Sequence, residues 1–237
     1  MAGHSKWANI KHKKAKEDAK RGKQFTTLIK EITVCAKVGG DVHGNPRLRH
    51  LVEKAKKLNM PGENITRAIK KGTGELPGVS YESVTYEGYG PGGIAIIVDV
   101  LTDNKNRAVA DMRVIFSRNG GHLAETGAVH WMFEKRGVIR AKSDTMTEDE
   151  LLEKLLDYDI EEITKDETLF IITTTLTHLN EITEAIKAIG LSVEESEIEW
   201  VAKNLVQVSQ EHEEKAMNLL EKLEENDDVQ NVYTNLK

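Results

Sequence analysis

The sequence contains a single cysteine among 237 residues. Cys35 therefore cannot close an internal disulfide or join a cysteine zinc cluster, and a lone thiol fits a reducing compartment. Its expected place is the apolar side of a helix. Long apolar runs are lacking too: none approaches the roughly 20 residues that cross a bilayer, which excludes a membrane span and a membrane partner. The segment Met1–Asn9 has neither the apolar core nor the small-residue cleavage site of a secretory signal, and lysines follow it. An untargeted cytoplasmic protein is expected.

Signatures of catalysis are equally scarce. The histidines His4, His12, His43, His50, His122, His130, His178 and His212 show no H-E-x-x-H or comparable ligand spacing, so neither a metal site nor a cofactor is expected. No G-x-S-x-G elbow or P-loop orders a nucleophile or a phosphate, and the reading is of a protein that is not an enzyme. Gly88–Gly93 does match G-x-G-x-x-G. A phosphate-binding glycine loop must open a helix, however, and this one leads into the strand-like run Ile94–Leu101 with Pro91 fixing the bend. A turn between strands is expected there.

What the chain does have is segregated charge. The formal net charge is -6, yet residues 1–74 carry 18 Lys+Arg against 6 Asp+Glu, and the remainder carries 15 against 33. A basic end joined to an acidic remainder points to a polyanion partner held by the basic end. Half of the net positive charge of residues 1–74 lies in an arm, residues 1–24, where Lys6, Lys11, Lys13, Lys14, Lys16, Lys20, Arg21 and Lys23 face only Glu17 and Asp18. Each phosphate they neutralise releases condensed counterions, which makes binding strong and salt-dependent. Trp7 is a candidate to stack on unpaired bases, the alternative being that it anchors the arm on the bundle, and Phe25 is expected to enter a core. With so few apolar residues, the arm is expected to be removable without unfolding the rest.

Periodicity gives the fold class. Phe25, Leu28, Ile29, Ile32 and Ala36 recur at helical spacing; Asn45 and Pro46 start a second helix with Leu48, Leu51, Val52 and Ala55 on one side; Pro61 starts a third that ends at Gly72. Residues 1–78 thus form the basic arm and a helical bundle. Strands are expected at Val84–Tyr89, Ile94–Leu101 and Val129–Phe133, with a helix over 105–118. Residues 136–203 then read strand (Val138–Ala141), helix (Glu148–Tyr158), strands (Ile160–Thr164 and Leu169–Thr174), helix (Leu179–Ile189) and strand (Leu191–Trp200), the βαββαβ order of a ferredoxin-like sandwich. The tail adds a short strand at Leu205–Val208, a helix at Glu211–Glu225 and a strand near Val229–Tyr233. It lacks a core of its own. The expected architecture is α+β: an N-terminal helical bundle followed by two α/β sandwich domains, one discontinuous (79–135 and 204–237) and the other, ferredoxin-like (136–203), inserted in it.

Arg47, Arg49, Lys54, Lys56 and Lys57 on the second helix and Arg67, Lys70 and Lys71 on the third extend the positive charge into the bundle, although not on a single face. Of these, Arg47, Arg49, Lys70 and Lys71 join the arm as candidate nucleic-acid contacts. Asp103 or Asn104 is expected to cap the helix that follows. No helix-turn-helix spacing or RNA-recognition aromatic pair separates DNA from RNA as the target.

Six short segments, Gly3-His-Ser-Lys-Trp7, Asp18-Ala-Lys-Arg-Gly-Lys23, Asn45-Pro-Arg-Leu-Arg49, Asn59-Met-Pro61, Tyr86-Glu-Gly-Tyr-Gly-Pro91 and Thr102-Asp-Asn-Lys-Asn-Arg107, resemble the YebC/PmpR family in order and along the full chain. The resemblance implies a three-domain α+β architecture and, for bacterial members, a DNA-binding transcriptional regulator. A mitochondrial relative is a translational activator of cytochrome c oxidase, and members have been connected with ribosomes stalled on proline-rich nascent chains. The resemblance therefore also implies ribosomal RNA, the ribosome or the transcription machinery as partners. A monomeric bacterial member is expected.

Overall fold

The computed structural model describes Ser5, Trp7, Ala8, the Arg21 backbone and residues 22–237. In chain order its elements are α1 (Arg21–Ala36), α2 (Pro46–Lys57), α3 (Gly62–Gly72), β1 (Glu82–Tyr89), β2 (Ala95–Thr102), α4 (Lys105–Arg118), β3 (His122–Leu123) and β4 (Phe133–Lys142). They continue with α5 (Glu148–Lys154), β5 (Ile160–Asp166), β6 (Leu169–Thr174), α6 (Leu179–Ala188), β7 (Ser192–Ala202), α7 (Gln210–Glu225) and β8 (Val229–Thr234). The fold is α+β. Two compact units emerge, one built on Trp131–Leu205 and the other on Lys6–His130 with Val206–Lys237.

In the discontinuous unit, α1, α2 and α3 enclose a core of Leu28, Ile32, Cys35, Leu48, Leu51, Ala55, Met60 and Ile65. Their joints follow from single residues. Asn45 accepts a hydrogen bond from the Leu48 amide at 3.1 Å to cap α2, and its side-chain amide donates to Gly39 O at 2.9 Å, tying the end of α1 to the start of α2. At the other end of α2, Asn59 takes a φ of 58°. The following amide of Met60 then reaches back to Ala55 O at 3.0 Å, closing a Schellman turn whose apolar member is Met60. Gly72 lets α3 approach α1 closely, because a Cβ there would lie 2.4 Å from Thr33 O.

The same unit holds a sheet of order β3-β1-β2-β8, antiparallel throughout. The last strand thus pairs with a strand more than a hundred residues earlier. Ile94, Ile96, Val98 and Val100 line one side of the central region and pack against Met112 and Phe116 of α4 and Leu219, Leu220 and Leu223 of α7. Trp7 joins this core at 2% exposure. That corrects two expectations: its ring does not present a face to an unpaired base, and a deletion of residues 1–24 would take a large apolar side chain out of the sheet core. The glycine-rich segment after β1 is a turn into β2, as its strand context requires, with Gly92 at φ 76°.

Two electrostatic knots hold this unit. The first is a buried ion pair: Lys30 Nζ on α1 donates to Asp228 Oδ1 and to Asp227 O, each at 2.7 Å, while Asp228 Oδ2 accepts from Thr102 Oγ1 and Arg107 Nη2, each at 2.9 Å. Lys30 is 6% exposed and Asp228 7%. Burial alone would raise the Asp228 carboxyl, but the hydrogen bonds from Lys30, Arg107 and Thr102 outweigh it and hold the group below its ordinary range. The second knot is Glu87 on β1, 3% exposed, whose carboxylate accepts from the amides of Gly127, Val129 and His130 at 2.8, 2.8 and 2.9 Å. Here too burial pushes the carboxyl up and the three amides bring it lower still. Because those amides bind a side chain, Val129–Phe133 is not a strand: His130–Met132 forms a 3-10 turn, and pairing begins at Phe133.

The unit Trp131–Leu205 contains the antiparallel sheet β5-β6-β4-β7. This is the ferredoxin-like order. Ile139, Ala141, Phe170 and Ile172 pack beneath Leu151 and Leu155 and under Ile182 and Ile186 of α6. Thr147 and Glu150 form a reciprocal capping box at the start of α5, which ends at Lys154, before the expected Tyr158. The expected strand Leu205–Val208 amounts to one parallel bridge, Val206 to Leu236.

Replacing Asp228 by Ala strands a buried ammonium and is expected to cost about 3–5 kcal/mol in urea unfolding, whereas replacing Lys30 by Met together with Asp228 by Leu should recover most of that loss. Folding lowers the proton affinity of Asp228, so its contribution is complete above about pH 4 and is lost as pH falls through the lower folded value. The wild-type urea midpoint should drop in that window more than that of the double variant. Glu87→Ala leaves three amides without their acceptor and should lower stability by about 3 kcal/mol, with the amides of residues 127–130 losing protection in hydrogen exchange.

Candidate nucleic-acid interface

On α2 each residue turns about 100° from the last. Leu48, Leu51, Val52 and Ala55 therefore share the buried side, and Arg49, His50, Glu53, Lys56 and Lys57 emerge opposite, all exposed. On α3, Ile65 and Ala68 are buried, and Glu63, Arg67, Lys70 and Lys71 emerge outward. The outward faces of the two helices thus bear six cations and two carboxylates. Lys56, Lys57, Lys70 and Lys71 lie in last turns, where they also offset the negative helix end.

The candidate residues separate in the structure. Arg47, Lys70 and Lys71 are exposed. Arg47 emerges about 160° around the helix from Arg49, so the two do not form one patch. Arg49 is exposed, yet its Nε and Nη2 donate to Val42 O at 3.2 Å and His43 O at 2.6 Å, which fastens the loop before α2. Lys23 Nζ donates to Asn226 O at 2.9 Å, at the C-terminal end of α7, so its charge is engaged within the protein. Trp7 is core. Lys6, Lys11, Lys13, Lys14, Lys16 and Lys20 lie outside the described residues, as does the Arg21 side chain.

Sequence reasoning missed Lys30, Asp228 and Glu87. Lys30 lies about 160° around α1 from Leu28, away from the bundle core, so no apolar stripe marks it as buried. The polar cluster after β2 did carry a signal. Asn104 caps α4 by accepting from the Arg107 amide at 3.1 Å, while Arg107 Nη2 also donates to Asp103 at 2.6 Å. This cluster borders a pocket of about 210 Å³ lined by Arg107, Asp111, Asn226, Asp227 and Asp228. Three carboxylates against one engaged guanidinium make it a poor seat for a polyanion. Among the described residues no group of three or more His, Cys, Asp or Glu could hold a metal ion, and no helix is long and apolar enough to cross a membrane.

Comparison with known proteins places this geometry in context. A crystal structure of a conserved hypothetical protein from Aquifex aeolicus matches with a TM-score of 0.86 and 44% identity, covering 94% of this chain and 93% of that one. A probable transcriptional regulatory protein of Desulfotalea psychrophila is 52% identical, with 99% of this chain and 95% of the relative covered. One from Thermoanaerobacter pseudethanolicus is 52% identical, with 100% and 97% covered. A family model described as the TACO1/YebC protein N-terminal domain matches residues 5–75, and another, TACO1/YebC second and third domain, matches residues 81–236. From its bundle to its last strand, the chain belongs to the TACO1/YebC family.

Proposed function

We propose that the protein is a non-catalytic regulator of gene expression that binds nucleic acid through its basic arm and the outward faces of α2 and α3. The observation that carries this reading is the charge division: 18 cations and 6 carboxylates up to residue 74, and 15 against 33 beyond it. Nucleic acid is repelled by the acidic part and attracted to the basic end, which orients the encounter. The names of the relatives, probable transcriptional regulatory proteins, support a role in transcription, for which promoter DNA is the target we propose. A ribosome-bound or RNA-bound translation factor, acting in the same cytoplasm, is the competing version. The arm has many lysines and a single arginine, Arg21. Lysine is a flexible point charge, whereas bidentate base reading favours the planar fork of arginine, so the arm follows the backbone and does not read sequence.

Replacing Lys11, Lys13, Lys14 and Lys16 by Gln, or separately Lys56, Lys57, Lys70 and Lys71, should weaken binding to a promoter-like and a random duplex alike. The slope of log affinity against log salt should flatten by about 0.9 for each duplex phosphate that is no longer neutralised. A loss confined to one sequence with an unchanged slope would contradict the reading. Sedimentation of tagged protein through a sucrose gradient separates the two versions: co-migration with ribosomal particles favours translation, and its absence favours promoter DNA.

A further inference from the structure

We infer that the Trp131–Leu205 unit carries a second contact surface, one that takes unpaired bases of RNA, at the end of the β4–β7 ribbon. Trp131, in the turn that enters β4, is 65% exposed, an unusual position for the largest apolar side chain. In the first turn of pairing, Lys135 lies opposite Trp200, and its Nζ sits 4.7 Å from the centre of the Trp200 ring. A cation held over an aromatic face keeps its charge in one place. Ile198, on the same side of the ribbon two residues before Trp200, is 52% exposed.

Strand alternation sorts the charge. Phe133, Lys135 and Gly137 of β4 and Ile198, Trp200 and Ala202 of β7 share one side and include no carboxylate. The glutamates of these strands fall on the other side, where Glu134 pairs with Arg136 at 2.8 Å and Glu199 pairs with buried Arg140. The unit has 8 Lys+Arg against 18 Asp+Glu, so a carboxylate-free aromatic and basic surface is a local exception within it. The opposite sheet face cannot serve in its place, because Val138, Arg140 and Ile171 there are all buried.

An exposed indole at Trp131 and, four residues on in the chain, a cation held over the Trp200 ring supply the two features that recognise a base and its phosphate. A duplex hides its base faces, whereas folded RNA offers them in loops and bulges. This surface uses residues other than those of the arm, α2 and α3, and it discriminates single strands where the arm only follows charge.

The test uses the full chain and three fluorescent probes: a twelve-residue single-stranded oligo(A) RNA, an RNA duplex of equal length and an octaproline peptide. Trp131→Ala and Lys135→Gln, both at exposed positions, should each preserve the thermal midpoint. Together they should weaken single-strand binding about tenfold, the scale of one base–aromatic stack, and leave duplex binding within about twofold. The arm variant should weaken both RNA probes, so failure of either surface is seen independently. Equal losses on single strand and duplex, no loss on either, or octaproline binding that disappears with Trp131 would overturn the inference.

Discussion

Lys30 and Asp228 come from opposite ends of the chain, and each is buried because the other is there. Removing one charge from water costs several kcal/mol, and the Coulomb attraction offsets that cost only when the remaining hydrogen-bond sites are filled. They are filled here: Asp227 O and Leu101 O accept from the ammonium, and Thr102 and Arg107 serve the second carboxylate oxygen. The pair therefore fixes α1 against the junction of α7 and β8. Lys23, on the same helix and bonded to Asn226 O, adds a second tether at that junction. Through α1 the two tethers set the attitude of the bundle within its unit, and with it the direction in which the cations of α2 and α3 point.

The division of labour among like residues follows from this arrangement. Among the described basic side chains of the first 74 residues, Lys23, Lys30, Lys37 and Arg49 are engaged by oxygens of the protein itself, whereas Arg47, Lys56, Lys57, Arg67, Lys70 and Lys71 face solvent. The second group can attract a polyanion without dismantling the fold, and the first cannot. The buried Glu87 does comparable work at the far side of the sheet. By gathering three amides it replaces strand pairing over residues 127–130 with a tight loop that leads directly into the exposed Trp131.

Much of the fold was legible in the sequence because its signals are local. Asn45–Pro46 at the start of α2, the β-type apolar run Ala95–Leu101 and the alternation of strands and helices beyond Phe133 each depend on near neighbours. The segments that carry the family resemblance are explained mostly by structure: Asn59 adopts the left-handed turn, Asn104 caps a helix and Arg107 completes the Asp228 knot. What could not be read locally was any partnership made across the chain. Lys30 looks like a solvated lysine until Asp228 is beside it, Trp7 looks like part of an arm until the sheet core closes over it, and Val129 continues a strand pattern until Glu87 claims its amide. The candidate site was legible as charge and not as geometry, since charge counts do not distinguish Lys23 from Lys70.

Lysine acetylation footprinting of the intact protein, free and saturated with duplex nucleic acid, addresses the central claim directly. The account predicts protection of the arm lysines together with Lys56, Lys57, Lys70 and Lys71, and unchanged modification of Lys154, Lys187 and Lys215 in the acidic part. Protection confined to lysines beyond residue 78, with the arm and bundle modified as in the free protein, would contradict it.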